Sequence, residues 1–280
     1  MSDPGSEATW TTVPAGAWGP ASGALAREGD VHVLSASLDQ PGRRLQALAG
    51  LLSPDETRRA ARYHFARDRD RFITARGLLR SILAPYLGVP PEGIEFRYGP
   101  QGKPRVVSQI TSADLRFNVS HSNALALYAI CRGRDLGVDV ERVKPLSDAD
   151  HIAERFFSAR EGAALRGLPE EERQRAFFAC WTRKEAYIQA TGDGLSRPLD
   201  EFDVSLGPGC PARLERVAGA PEEAARWSLA ALEPAEGYEA ALAVEGPLGR
   251  LSCWEWVPAD VAPSAGPWAH AIQVHELEAR

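Results

Sequence analysis

The run Gly137-Val138-Asp139-Val140-Glu141 sets two acids one residue apart in a strand-like stretch of this 280-residue chain. On a β-strand residues i and i+2 leave the same face, so Asp139 and Glu141 stand side by side while Val138 and Val140 turn toward a core. Like charges at that range raise each other's pKa unless a proton or cation intervenes, and a divalent ion is the strongest remedy. Taken alone, the pair also fits a solvated edge strand salt-bridged to Arg142 or Arg134. A third acid, Glu185, sits in F-F-A-C-W-T-R-K-E-A-Y-I-Q-A-T-G (177–192). There Phe177, Trp181, Lys184 and Ile188 recur at helical spacing, and Phe178, Glu185 and Gln189 form the neighbouring stripe. A carboxylate beside so much aromatic surface needs a partner. For an isolated helical Glu the alternative is a surface pair within its own helix, while Trp181 and Tyr187 read as core.

Other groups are less specific. Ser120-His121 is not a hydrolase pair, because adjacent strand residues face opposite ways and no G-x-S-x-G turn accompanies them. Lys103 occupies a Gly/Pro turn and by itself reads as a solvent lysine. Between Arg58 and Arg80 there are eight arginines against only Asp68 and Asp70, a local cation within a chain of net charge -6. The overall sign argues against nucleic-acid binding, whereas the cluster suits an anionic ligand or an acidic partner. The four cysteines (Cys131, Cys180, Cys210, Cys253) and six histidines show neither C-x-x-C nor H-E-x-x-H spacing, so no zinc site or disulfide framework is signalled.

The elements that must hold these residues can be read from periodicity. The spacing predicts a strand from Val31, a helix from Ser53-Pro54-Asp55-Glu56, and a second from about Asp68 through Leu87 that stops at Gly88. Short β-rich runs follow at 94–98, 117–122, 125–131 and 136–143, with Cys131-Arg132-Gly133-Arg134 expected to close the last two as a hairpin. Helices are expected near 148–156, 159–166 and 170–190, then strands at 202–206, 227–232, 239–244 and 251–257. The order, loosely repeated, implies an α+β fold of two subdomains, 30–137 and 138–257, each with helices packed on a small antiparallel sheet. Residues 1–29 and 258–280 read as mobile tails. With 44% hydrophobic residues, no membrane-length apolar run and no signal-like N-terminus, the chain reads as soluble, cytoplasmic and free of membrane contact.

In order and interval, R-F-x-x-A-R-G-x-L-R (71–80), G-K-P (102–104), F-N-V-S-H-S (117–122), G-V-D-V-E (137–141) and W-x-x-K-E-A-Y (181–187) resemble the Sfp-type 4'-phosphopantetheinyl transferases. The resemblance covers about 53–195. It implies that the two subdomains are pseudo-symmetric, and that the chain is a holo-[acyl-carrier-protein] synthase type of enzyme, a monomer with coenzyme A bound between its halves. Mg2+, with Mn2+ able to replace it, would be held by Asp139, Glu141 and Glu185. The enzyme would move phosphopantetheine from coenzyme A to a serine of an acyl or peptidyl carrier protein of polyketide or nonribosomal peptide synthesis, releasing adenosine 3',5'-bisphosphate. The resemblance further makes Glu185 the base, directly or through a metal-bound water. Asp139 and Lys184 join it in the catalytic set. His121 and Ser120 would lie at the adenosine 3'-phosphate, and Lys103, Lys184 and Arg76 would be phosphate ligands. Many relatives have a lysine one turn after the glutamate where this chain has Gln189, and lysines upstream where it has Arg58, Arg59 and Arg62. A protein that binds coenzyme A or a carrier without chemistry is the alternative.

Overall fold

Central strands buried on both faces build the molecule in four layers. The computed structural model describes residues 10–14, 29–99, 102–107, 114–146, 148–192, 194, 197–207 and 209–257. The first half runs β1 (Trp10–Pro14), β2 (Val31–Ser37), α1 (Gly42–Ala49), α2 (Pro54–Ala60), α3 (Ala66–Leu87), β3 (Phe96–Tyr98), β4 (Pro104–Val106), β5 (Leu115–Ser122) and β6 (Leu125–Arg132). The second runs β7 (Leu136–Arg142), α4 (Ala149–Phe156), α5 (Ala159–Arg166), α6 (Glu170–Thr191), β8 (Phe202–Val204), β9 (Leu214–Val217), β10 (Trp227–Leu232), β11 (Tyr238–Glu245) and β12 (Leu251–Val257). One sheet has the order β1-β12-β2-β6-β5 and another β10-β11-β7; β3-β4 and β8-β9 are two-stranded pairs.

Val31, Val33, Leu127 and Ala129 face Val138, Val140, Leu242 and Val244 across the gap between the two larger sheets. Their neighbours Leu34, Ala36, Tyr128 and Ile130 turn the other way to meet α3, and Ala241 and Ala243 meet α6. The layers are therefore helices, sheet, sheet, helices. Each fully buried Val or Leu in such a core contributes roughly 1.5–3 kcal/mol. The expected α+β class is observed.

Each long helix follows a short helix that starts on a capping box, and both long helices stop alike. Ser53 and Glu56 form a capping box on α2, and Ser158 and Glu161 form one on α5. Gly88 (φ 66°) and Gly192 (φ 79°) end α3 and α6 in the left-handed conformation that glycine adopts without a Cβ penalty.

The structure differs from the sequence-based expectation in four places. Trp10–Pro14, inside the expected N-terminal tail, is a strand paired in parallel with β12. That strand, β12, pairs on its other side with β2, so residues 251–257 complete the first sheet rather than the second subdomain. The segment 131–134 closes no hairpin, since β6 and β7 belong to different sheets. Arg134 ties this turn to both halves: its guanidinium donates to the carbonyl of Gly29 before β2 and to those of Glu245 and Pro247 after β11. Helix α1 was not anticipated, because it has no side-chain cap and no acid in its first turn. It is held by packing, with Leu48 lying so close to Gly77 of α3 that a Cβ there would come within 2.8 Å of it. The expected tail 258–280 and most of 1–29 lie outside the described residues. No helix among the described residues is long and apolar enough to cross a membrane.

Candidate active site

Strand β7 and helix α6 bring the three acids together. They approach so closely at Gly137 that a Cβ on that residue would lie 2.1 Å from Ala186 O and 2.5 Å from Ala190 N. Only glycine permits this contact, which lays Glu185 and Gln189 over the acid-bearing face of β7. Val138 and Val140 take the opposite face, as the alternation requires.

Asp139 is 5% exposed. Its Oδ1 accepts from Ser120 Oγ at 2.7 Å and from Gln189 Nε2 at 3.2 Å, while Oδ2 is buried with no hydrogen-bond partner. Burial pushes its carboxyl well above the usual range; the Ser120 bond opposes this, and the nearby Glu185 and Glu141 add to it. Glu185 is raised as well, by burial first and then by Glu141. Glu141 is half-buried and accepts from Ser122 Oγ at 2.6 Å. The backbone N–H of Val138 donates to Asn118 Oδ1 at 2.7 Å, and that of Arg142 to Ser122 Oγ at 3.1 Å. Strand β5 thus meets the edge of β7 through alternate side chains at 118, 120 and 122, without a backbone ladder between them.

As these side chains stand, no three acidic, histidine or cysteine groups among the described residues converge into a formed metal cage. The donor set nevertheless suits a hard divalent ion. An orphaned buried oxygen on Asp139 lies near Glu185 and Glu141, whose charges help to raise the Asp139 carboxyl, and carboxylate oxygens are what such ions take. A salt bridge from Asp139 to Arg134 or Arg142 is not what the structure contains.

The expected phosphate ligands are distributed unevenly. Lys184 requires a correction: it is fully buried, ion-paired to Glu161 at 2.8 Å and donating to the carbonyls of Leu199 and Phe202. An ammonium has three donors, and all three are in use, so Lys184 holds the second-half core and has none left for a phosphate or a reacting group. Lys103 donates to Leu136 O and Gln189 O, joining the β3–β4 connection to β7 and the last turn of α6, with one N–H left. Burial lowers its pKa to about 8. Arg76 donates to Glu56 and to the Tyr98 hydroxyl and lies over the Phe96 ring. Glu56 and Tyr98 belong to the wall of a cavity of about 640 Å³ that Arg58, Arg59, Arg62 and Tyr63 also line. Arg76 therefore braces an arginine-lined cavity and is not among the acids. His121 is exposed on the face of β5 opposite Ser120 and Ser122.

Three participants carry no expectation from the sequence, and a fourth, Gln189, carries a different one. Ser122 and Asn118 could have been found by setting the alternation N-x-S-x-S (118–122) against D-x-E (139–141). Gly137 gave no such signal, because its need arises from a helix distant in sequence. Gln189 was noted for the charge it lacks rather than for its bond to Asp139.

The chain is similar to known proteins over most of its length. Residues 135–243 match the 4'-phosphopantetheinyl transferase superfamily, and residues 40–132 match the N-terminal region of 4'-phosphopantetheinyl transferases. The chain is 45% identical over 217 residues to the 4'-phosphopantetheinyl transferase HetI of Nostoc sp., covering 78% of this chain and 88% of that protein. It is 37% identical to the 4'-phosphopantetheinyl transferase psf-1 of Bacillus pumilus, covering 59% of this chain and 68% of that one. To 4'-phosphopantetheinyl transferase Sfp of Bacillus subtilis it is 32% identical over 155 residues, 55% of this chain and 66% of that protein.

Proposed function

Since the chain belongs to the 4'-phosphopantetheinyl transferase superfamily, we propose that it moves the phosphopantetheine of coenzyme A onto a serine of an acyl or peptidyl carrier protein. The observation that carries this reading is the buried Asp139 on β7, within electrostatic reach of Glu141 and of Glu185 on α6, with one of its carboxylate oxygens left unpaired. These three would hold Mg2+. When bound, the ion neutralises charge on the pyrophosphate and on the phosphoryl group in transfer.

The residues divide the remaining work. The carrier serine oxygen forms a bond to the β-phosphorus of coenzyme A as the bridging P–O bond breaks, and adenosine 3',5'-bisphosphate leaves with that oxygen. The serine proton passes to the carboxylate of Glu185, presented by α6 over the acid-bearing face of β7. Ser120 and Gln189 fix the orientation of Asp139 from two sides. The remaining N–H of Lys103 is available to a phosphate oxygen. The cavity with Arg58, Arg59 and Arg62, braced by Arg76, suits the 3'-phosphate end of the nucleotide, with His121 as a further contact.

Incubating the chain with coenzyme A, Mg2+ and an apo carrier protein should add the mass of phosphopantetheine to the carrier, and Asp139→Ala should abolish it. No mass gain, with another transferase modifying the same carrier, would refute the activity. Full transfer by Asp139→Ala would refute the metal assignment. Gln189, which brings an amide and no charge to the acids, supports the second reading of a coenzyme A binding protein; calorimetric binding without turnover would identify it.

A further inference from the structure

Strands β5 and β7 lie side by side from different sheets, and what joins them is a three-rung ladder of side chains. Asn118 Oδ1 takes the Val138 N–H, Ser120 Oγ donates to Asp139 Oδ1, and Ser122 Oγ donates to Glu141 Oε2 while accepting the Arg142 N–H. The first rung fixes the height of one strand against the other. The next two reach from the first half of the molecule to the two acids of the second. Each serine occupies a single oxygen of its carboxylate. Asp139 keeps Oδ2, buried and unpartnered, and among the described residues nothing donates to Glu141 Oε1.

We propose that Ser122, acting with Ser120, is a positioning residue that makes each acid present one oxygen to the bound ion, and so sets a preference for Mg2+ over Ca2+. This rests on the metal reading above. The physical basis is the difference between the two ions. Mg2+ demands near-octahedral geometry at short distance and is satisfied by single carboxylate oxygens plus water and phosphate, whereas Ca2+ accepts two oxygens of one carboxylate in a looser shell. A serine hydroxyl holding Oε2 at 2.6 Å competes with the ion for that oxygen and also stops the Glu141 side chain from rotating. The same hydroxyl is itself held by the Arg142 N–H, so it is aimed before any ligand arrives.

The test uses the full chain without coenzyme A. Mn2+ binding is read by electron paramagnetic resonance and competed with Mg2+ or Ca2+. Ser122→Ala should weaken Mg2+ and Mn2+ by about tenfold, the loss typical of a removed partner of a metal ligand, and weaken Ca2+ far less. The Mg2+ preference then falls by a similar factor, and Ser122→Thr, which keeps the hydroxyl, should restore it. In the transfer assay the Mg2+ concentration for half-maximal rate should rise by a similar factor. Should Ser122→Ala fail to fold, Ser122→Cys keeps the volume with a poor donor and serves instead. An unchanged ratio of Mg2+ to Ca2+ affinity in the folded variant would overturn the inference while leaving the metal site standing. Absence of Mn2+ binding by the parent chain would overturn the metal reading, and this inference with it.

Discussion

In the first half of the molecule Arg80, on α3, lies buried against Glu56 and donates to the carbonyls of Pro91 and Ile94. In the second half Lys184, on α6, lies buried against Glu161 and donates to the carbonyls of Leu199 and Phe202. Both glutamates are the third residue of a capping box on the short helix before the long one. The two halves thus share one device: a capping glutamate whose Oε2 accepts the cap N–H and also meets a buried cation, which in turn ties down the chain that follows the long helix. They differ at the next residue. Ser81 follows Arg80 and bonds to the Gly77 carbonyl of its own helix, whereas Glu185 follows Lys184 and lies among acids. The comparison teaches that Lys184 and Glu185, though adjacent within one motif, answer to different demands, the first to the scaffold and the second to the chemistry.

The comparison is broken most severely at Gly137, which has no counterpart of equal tightness in the first half. Gly137→Ala should leave no stably folded protein, because backbone stands 2.1 Å from the added methyl; recovery of soluble chain with a cooperative melt would contradict this. Next, Lys184→Ala and Arg80→Ala should each cost about 3–5 kcal/mol in denaturant unfolding, the usual result of stranding a buried partner. The affinity of Lys184→Ala for coenzyme A should stay unchanged under conditions where the variant remains folded. A large rise in its KM would return Lys184 to the phosphate ligands.

Glu185→Gln sharpens the contrast from the other side. Transfer should fall by between about 10²- and 10⁴-fold for loss of a general base. Folding disfavours the ionised form of Glu185, since its folded pKa is raised, so the ion-free variant should be somewhat more stable at neutral pH than the parent. A melting curve and a rate measured on the same sample decide both. The smallest effect concerns Lys103, whose ammonium is charged below about pH 8 and neutral above it. The KM for coenzyme A should therefore rise as pH passes through 8, by up to about fivefold, equivalent to the ~1 kcal/mol of a partly exposed charge contact. Lys103→Arg, charged throughout that range, should flatten the profile.

The parts of this arrangement legible in the sequence were those set by local physics. The pattern Ser53-Pro54-Asp55-Glu56 gave the start of α2, Gly88 and Gly192 gave the ends of α3 and α6, and alternation gave β5, β6 and β7 with the correct face for Asp139. The side of α6 on which Glu185 falls followed from helical spacing. Long-range pairing was not legible. Nothing near Lys184 announces Glu161 as its partner, and a lysine beside a motif glutamate reads equally as ligand or anchor. Residues 251–257 were recognised as a strand, but the alternation of one strand carries no address for the sheet it joins.

That address has a consequence for the order of assembly. Every residue of β2 from Val31 to Ala36 is buried, and one of its edges is covered only by β12, more than two hundred positions later in the chain. During synthesis the first half can emerge and pair β2 with β6 while an apolar edge waits for nearly the last strand to arrive. Such an edge is a template for pairing with other chains until it is filled. Closure by β12 is therefore the step at which a nascent chain stops being a hazard to its neighbours.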